Sequence, residues 1–229
     1  AYRSFRNYLG KAREQHVLAG HPWSELLALA ARKSILSVER GLGPARQSLP
    51  FELLDALVAA RSAAVVRAPG VPLGWHNLLT TAVYFIMREI EVAAAQVGHL
   101  ELDFVKLSVS LRLPVSKTDQ TGIGCSRSWA CLCRDAVRRP DCPFHSLAGQ
   151  LELLEGFFGA PLDPSLPLFP DKAGNVISKA AVVKTLETTM EAMGQPTVND
   201  AGCKLYGGHS FRVTGARRLA ALGVEIAKI

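Results

Sequence analysis

Residues 206–223 read YGGHSFRVTGARRLAALG, a stretch in which a pair of glycines precedes a run of helix-forming residues. The glycines permit a tight turn, and the pattern predicts a helix that begins at His209 or Ser210 and ends before Gly223. His209 and Arg212 then share one face near the helix N-terminus, where unpaired N–H groups and the helix dipole favour an anion. The stretch predicts phosphate-binding geometry. An exposed basic turn is the alternative, because any helix offers such a pair.

The chain is long enough to bury a sizeable core. It has 229 residues, of which 48% are hydrophobic and 20% charged, so we expect one large domain, or one domain plus a fragment. Its most apolar stretch, 78–97, is interrupted by Arg88, Glu89 and Glu91 and is therefore not predicted to span a membrane. No secretory signal is recognisable, so we expect an intracellular protein, nuclear if the host is eukaryotic and cytoplasmic otherwise. Because the sequence begins without Met and ends inside a predicted helix, we expect it to be a piece of a longer protein.

Basic residues outnumber acidic ones, and they are unevenly placed. The formal net charge of +6 favours a polyanionic partner such as nucleic acid. The two basic clusters consist of Arg3, Arg6, Lys11 and Arg13, and of Arg212, Arg217 and Arg218. Taken alone, either cluster also fits a solvated face.

Hydrophobic periodicity and end signals predict five further helices. They cover residues 24–40 with Ser24 as N-cap, 51–66, 78–97, 147–158, and 178–194 with Ser178 as N-cap. The sequence GLGP at 41–44 predicts a domain boundary near Gly43. Strict alternation of apolar residues from Val105 to Val115 predicts a strand within 104–124 that ends in a polar turn. Prolines at positions 161, 164, 167 and 170 predict an extended surface connection.

Two segments together resemble a known family. GGHSFRVTGARRLAALGVEIAKI at 207–229 closely resembles the second conserved box of tyrosine recombinases, the phage-integrase family, in which a His-x-x-Arg motif opens a helix. FIMREIEVAAAQVGHLELD at 85–103 resembles that family's first arginine box. The resemblance implies that Arg88 is the first catalytic arginine and Glu91 its supporting carboxylate. Where the family usually has a Gly just before this arginine, this chain has Ile86 and Met87.

The alternating strand and its turn resemble the family's β-hairpin, whose Lys lies on a mobile tip near the scissile phosphate. Lys117, in SKTDQTG, is the matching residue. The resemblance is specific because Arg, Lys and His-x-x-Arg occur in the family's order; none of these residues is specific by itself. It implies a mainly α fold with a small antiparallel β-sheet (α+β). Residues 1–43 are then the tail of a helical core-binding domain, and 44–229 are a catalytic domain that is incomplete at its C-terminus.

The resemblance also implies a chemistry, which is DNA strand breaking and rejoining in recombination or integration of a mobile element. Two arginines, Arg88 and Arg212, hold the charge that develops on the phosphate oxygens, with His209 as a further donor. Lys117 protonates the leaving 5′-oxygen as general acid, and a Tyr forms a 3′-phosphotyrosyl intermediate. No metal or other cofactor takes part in that step. In the family the Tyr follows the second box, whereas the tyrosines here all precede it, at positions 2, 8, 84 and 206. We therefore expect this chain to bind double-stranded DNA without cleaving it, and the full-length protein to act on DNA as a homo-oligomer.

A cysteine-rich segment lies between the hairpin and the next helix. CLCRDAVRRPDCPFH contains Cys131, Cys133, Cys142 and His145, which together fit a structural Cys3His zinc site. The Cys-x-Cys half is tighter than in the usual zinc finger, and Cys125 is an alternative ligand. Reduced, mostly buried thiols are an equally good interpretation.

Three other functions fit parts of these observations. A type IB topoisomerase shares the chemistry, although the compact second box favours a recombinase. An inactive DNA-binding remnant of a mobile element explains the absent Tyr. A zinc-stabilised interaction module with coincidental boxes predicts that Arg88, Lys117, His209 and Arg212 lie far apart.

Overall fold

A computed structural model describes residues 2–42, 48–113, 125–134 and 137–225. The chain divides into two compact units, Ala1–Arg46 and Gln47–Ile229. The first unit contains helices α1 (Tyr2–Leu18) and α2 (Glu25–Leu42), which pack against each other. Ser24 caps α2 as predicted, since its Oγ accepts a hydrogen bond from the Leu27 N–H at 3.3 Å. The assignment of residues 1–43 to a core-binding domain stays a prediction.

The helices of the second unit enclose one hydrophobic core. Within the described residues they are α3 (Leu53–Ala59), α4 (Ala63–Val66), α5 (Trp75–Tyr84), α6 (Glu89–Ala94), α7 (Pro143–Phe158), α8 (Lys179–Ala192) and α9 (Ser210–Ala221). The centre of this layer is α5, which is buried on all sides except at His76 and packs on α3, α7 and α9. Because α5 carries no charged residue, it can be surrounded by other helices at no desolvation cost for ions.

An antiparallel sheet of order β1-β2-β3 completes the described part of this unit. Its strands are β1 (Leu100–Asp103), β2 (Ser108–Leu113) and β3 (Cys125–Ala130). In β2 the alternating residues Val109, Leu111 and Leu113 are buried, and the sheet packs on α7. About half of the chain is helical, so the predicted α+β class, mainly α with a small antiparallel sheet, is confirmed.

The predicted strand begins too early. Residues 104–107 form the turn between β1 and β2, in which Val105 is 95% exposed and Leu107 has a φ of +49°. The alternating apolar pattern thus includes Val105 and Leu107, which lie in an exposed turn and not in a strand. The strands β1 and β3 were not predicted, and Val115 with the predicted polar turn lies outside the described residues.

Two predicted helices are each divided in the structure. The helix predicted at 51–66 is interrupted between α3 and α4, where the Ser62 Oγ caps α4 by accepting from the Val65 N–H. The helix predicted at 78–97 ends at Tyr84 and resumes at Glu89. Periodicity alone did not show either break, because the apolar positions keep helical spacing across both.

The other predicted elements fit more closely. Helix α7 begins at Pro143, earlier than predicted, with the proline at its first position, where the missing N–H costs nothing. Ser178 caps α8 through the Ala181 N–H at 3.1 Å, as predicted. The proline-rich connection is not wholly on the surface, since Pro167–Pro170 is buried and the Leu168 N–H donates to the Ala95 carbonyl at 2.8 Å.

Helix α9 is held tightly against α5. Gly215 lies so close to the Val83 carbonyl that a Cβ at this position has no room. Thr214 Oγ1 accepts a hydrogen bond from the Phe51 N–H at 3.1 Å, and the Phe211 ring packs edge-on against Trp75. The predicted helix after the glycine pair is thus confirmed, from the N-cap His209 to the end of α9 at Ala221. No helix among the described residues is long and apolar enough to cross a membrane.

Candidate active site

The backbone turn after α5 is held by two arginines. Ile86 has a φ of +49°, in the left-handed region that a β-branched residue rarely adopts. Its carbonyl accepts hydrogen bonds from Arg212 Nε at 3.0 Å and from Arg127 Nη1 at 3.3 Å. Arg127 Nη1 also donates to the Phe85 carbonyl. Locally, the Ile86 N–H donates to the Val83 carbonyl at 3.2 Å and the Met87 N–H to the Ala82 carbonyl at 2.8 Å, the pattern of a Schellman helix end. The chain therefore bends before Arg88 even without the family's Gly, because local and tertiary hydrogen bonds together stabilise the strained residue.

Arg88 leaves this turn as the N-cap of α6. Its N–H donates to Glu91 Oε2 at 2.7 Å, and its Nη1 donates to Glu91 Oε1 at 3.0 Å. The Glu91 side chain is only 3% exposed, so this ion pair is well shielded from solvent. Arg88 Nε is buried and has no hydrogen-bond partner among the described residues. Since a buried donor without a partner is costly, this edge of the guanidinium is suited to an anion.

Arg212 lies in the first turn of α9, close enough to Arg88 for their charges to interact. Burial lowers the pKa of Arg212, and the charges of Arg88 and Arg127 lower it further, while Glu91 opposes them. Three guanidiniums and one carboxylate thus share this region. The resulting excess of positive charge is typical of an anion-binding site.

His209 is exposed at the N-terminus of α9, beside the start of α6. Burial raises the pKa of Glu89, but its ion pair with Lys179 Nζ at 2.8 Å outweighs that effect, and the charge of His209 adds to the lowering. Gly208 approaches the Glu89 carboxylate so closely that a Cβ there requires this side chain to move. His209 is therefore next to the residue that follows Arg88 in the chain.

The structure brings three of the four predicted catalytic residues to one region. Arg88, His209 and Arg212 meet around the turn at Ile86, although more than 100 residues separate Arg88 from the other two. The fourth, Lys117, lies outside the described residues. A coincidental match of the two boxes predicts that these residues lie far apart. Arg88, His209 and Arg212 instead lie in one region.

Two functional candidates were not found from the sequence. Arg127 is an inconspicuous basic residue on β3, and only its register opposite Leu111 aims it at the turn. Glu89 adjoins Arg88, and in the sequence it is only one of the charges that interrupt the apolar stretch 78–97. No sequence motif surrounds Arg127, so its position at the turn becomes visible only once the pairing of β2 with β3 is known.

The two tyrosines of the second unit have structural positions. Tyr84 is buried and its hydroxyl donates to Asp141 Oδ2 at 2.9 Å. Burial, with the neighbouring Asp141, raises the pKa of Tyr84 to about 12. Tyr206 is buried as well, which raises its pKa. Neither side chain is placed as a nucleophile for an external phosphate.

Asp141 is the centre of a buried polar cluster that includes residues of α5 and α9. Its side chain is 1% exposed, and it accepts hydrogen bonds from Tyr84, from Arg139 at 3.0 Å on each oxygen, and from Arg218 of α9. Burial raises the pKa of Asp141, but hydrogen bonds from Arg139 and Tyr84 and the charge of Arg218 lower it below its ordinary value. Arg218 also donates from Nε to the Tyr84 hydroxyl oxygen at 2.9 Å.

The predicted metal ligands also lie together. The ligand atoms of Cys131, Cys133, Cys142 and His145 are all within 4.8 Å of one another, close enough to bind a metal ion. The alternative ligand Cys125 is exposed at the start of β3 and is not part of this group.

Comparisons with known proteins identify the fold. No protein-family model matches the chain, and neither does any curated protein. Among solved structures, the chain is similar to a lambda integrase dimer bound to a COC′ core site, with a TM-score of 0.56 and 16% identity over 95% of this chain and 51% of the integrase. It is similar to the XerH site-specific recombinase bound to difH substrate, with a TM-score of 0.52 and 17% identity over 80% of this chain and 45% of XerH. For the XerA recombinase the TM-score is 0.50, with 14% identity over 97% of this chain and 69% of XerA.

The chain therefore has a tyrosine-recombinase-like fold, as the sequence resemblance predicts. It spans about half the length of the lambda integrase and XerH chains that it matches.

Proposed function

We propose that this chain is the DNA-binding catalytic part of a tyrosine recombinase that acts in DNA recombination or integration. The observation that carries the proposal is the meeting of Arg88 and Arg212 at one backbone turn, with a buried, unpartnered Arg88 Nε beside a surplus of positive charge. The fold supports it, since the lambda integrase and XerH structures that share the fold are bound to a COC′ core site and to difH substrate.

In this proposal the scissile phosphate binds between the first turn of α9 and the N-terminus of α6. Arg88 and Arg212 donate to its non-bridging oxygens, and His209 donates from the end of α9. Glu91 holds Arg88 in position through its two hydrogen bonds. Lys117 serves as the general acid for the leaving oxygen. None of these steps uses a metal ion.

In this proposal the nucleophile is none of the tyrosines at positions 2, 8, 84 and 206, because all four precede the second box, which the nucleophile follows in the family that the sequence resembles. Tyr84 and Tyr206 are also buried, and the hydroxyl of Tyr84 donates to Asp141. The 229-residue chain then binds duplex DNA without forming a covalent adduct. The full-length protein is proposed to assemble on DNA as an oligomer, as in the lambda integrase dimer and the lambda integrase tetramer bound to a Holliday junction. We extend the proposal to an origin in a mobile element.

Fluorescence anisotropy with a labelled duplex tests the DNA-binding step. We expect Arg88→Ala and Arg212→Ala each to weaken binding about tenfold and to reduce the slope of log affinity against log salt concentration by about one. Arg67→Ala is the matched control, because Arg67 is an exposed arginine of the same unit at the end of α4. It is expected to bind DNA like the unmodified chain.

Two further measurements complete the test. Circular dichroism of each variant distinguishes lost binding from lost folding, and Arg88→Lys, which keeps the charge, provides a milder change at the same position. If Arg88→Ala and Arg212→Ala bind DNA as well as Arg67→Ala does, the proposed phosphate site is wrong. A nicked suicide duplex tests cleavage, and an SDS-resistant adduct formed by this chain contradicts the proposal that its nucleophile lies elsewhere.

A further inference from the structure

Four side chains between β3 and α7 form a compact group outside the proposed active site. Cys131 and Cys133 follow the end of β3, Cys142 is the N-cap of α7, and His145 lies in the first turn of that helix. We refer to these four residues as the Cys3His cluster. Because Cys142 and His145 are separated by one helical turn, their side chains point to the same place.

Four of the six distances between ligand atoms of the cluster are close to those of a tetrahedral zinc site, and all six are within 4.8 Å. The His145 Nδ1 atom is 3.3 Å from the Sγ atoms of Cys133 and Cys142 and 3.6 Å from that of Cys131. The Sγ atoms of Cys131 and Cys142 are 3.7 Å apart. With zinc–sulfur bonds of 2.3 Å and zinc–nitrogen bonds of 2.0–2.1 Å, tetrahedral geometry requires sulfur–nitrogen distances of about 3.5 Å and sulfur–sulfur distances of about 3.8 Å.

Backbone N–H groups surround the three sulfur atoms as they do for thiolate ligands. The Cys142 Sγ accepts from the Leu132 N–H at 3.3 Å, the Cys131 Sγ from the Cys133 N–H at 3.4 Å, and the Cys133 Sγ from the Arg139 N–H at 3.3 Å. Each sulfur thus has one backbone donor, which stabilises negative charge on it and fixes its direction. None of these cysteines is in a disulfide, and the separation of 3.7 Å between Cys131 and Cys142 is far longer than an S–S bond of about 2.05 Å.

We propose that the Cys3His cluster binds one Zn²⁺ ion and that this ion holds the start of α7 against the segment that follows β3. Three thiolates and one imidazole form a closed tetrahedral set, so the site has a structural role and no open position for a substrate. Zinc is the metal that such soft, tetrahedral ligands select in proteins.

The bound ion also stabilises contacts with the helices of the candidate active site. Asp141 immediately precedes the ligand Cys142, and its carboxylate binds Tyr84 of α5 and Arg218 of α9. Fixing the backbone at Cys142 therefore fixes Asp141. Since α9 also carries Arg212, the metal supports the active-site helix from a distance.

Metal analysis of the purified 229-residue chain tests the proposal. We expect about one zinc ion per chain, released stoichiometrically when a mercurial reagent titrates the thiols. Cys133→Ser is expected to lose the metal, and Cys203→Ser, which changes a cysteine remote from the cluster in sequence, is expected to keep it. Replacement of zinc by Co²⁺ is expected to give the visible bands of tetrahedral cobalt and a thiolate charge-transfer band in the near ultraviolet.

A second variant keeps the test decisive if Cys133→Ser does not fold. His145→Cys preserves four soft ligands and is expected to retain the metal with a cobalt spectrum shifted toward a tetrathiolate site. In the unmodified chain, chelation is expected to increase hydrogen exchange at the start of α7 and in α9, and added zinc to reverse this. Less than about a tenth of a zinc ion per chain, no tetrahedral cobalt spectrum, or equal metal loss in Cys203→Ser and Cys133→Ser overturns the proposal.

Discussion

Asp141→Asn removes the negative charge at the centre of the buried polar cluster while preserving the shape of the side chain. The carboxylate accepts from Tyr84, Arg139 and Arg218 and is almost fully buried. A hydrogen bond to a charged group contributes about 1.5–3 kcal/mol. The Arg139 bonds count for less because that side chain is 41% exposed. Asn retains one acceptor oxygen but places an NH₂ group against cationic donors, so we expect the free energy of unfolding to fall by about 2–3 kcal/mol.

Urea unfolding of the chain at several pH values, in the presence of a chelator, measures this loss. The pKa of Asp141 is lowered in the folded state, so its charge stabilises the fold above the ordinary aspartate pKa of about 3.9. That stabilisation is lost as the pH falls through the folded-state pKa. The difference between the unmodified chain and Asp141→Asn should therefore be full at neutral pH and shrink only in strong acid. The chelator keeps both proteins free of metal at every pH, so that acid-induced loss of an ion bound at the neighbouring Cys142 does not enter this difference.

The exposed Asp200 provides the matched control, since Asp200→Asn makes the same chemical change on the surface. It should leave the unfolding midpoint nearly unchanged. A loss below about 0.5 kcal/mol for Asp141→Asn, or a difference that does not depend on pH in the acid range, would refute the conclusion that the buried carboxylate stabilises the contact between α5, α7 and α9.

Further predictions concern two glycines and the turn at Ile86. Gly215→Ala should destabilise the fold by about 1–3 kcal/mol, because the new Cβ meets the Val83 carbonyl. Gly156→Ala is its control in α7, where nothing lies within 4 Å, and should stabilise by about 0.5 kcal/mol in the same urea assay. Arg127→Ala should lower the free energy of unfolding by about 1–2 kcal/mol and weaken DNA binding, since it removes the arginine donor to the Phe85 carbonyl and leaves the Ile86 carbonyl with Arg212 alone. Unchanged values for Arg127→Ala in urea unfolding and in anisotropy would contradict its role at the turn.

Local chemistry made the helix ends predictable. Ser24 and Ser178 accept backbone hydrogen bonds at the predicted helix starts, and Gly223 follows the last helix with a φ of +82°. Each signal depends on residues within one turn of the helix. The same holds for the spacing of the four residues in the Cys3His cluster, which lie within fifteen positions.

Long-range contacts explain what the sequence did not show. The break at Ile86 requires a residue in the left-handed region, and part of what stabilises it comes from Arg127 and Arg212, which are distant in the chain. Asp141 lies in the cysteine-rich segment without any local signal of burial, and its partner Arg218 is 77 positions away. Periodicity contains no information about such partners.

The turn at Ile86 also affects how the two arginines that bind it can be studied. A glycine adopts the left-handed conformation without steric cost. Here Ile86 adopts it, and the hydrogen bonds from Arg127 and Arg212 to its carbonyl help to offset the strain. Removal of either arginine consequently changes charge and backbone geometry together. In an Ile86→Gly background the turn no longer depends on those hydrogen bonds, so a double-mutant cycle between position 86 and each arginine separates the two contributions.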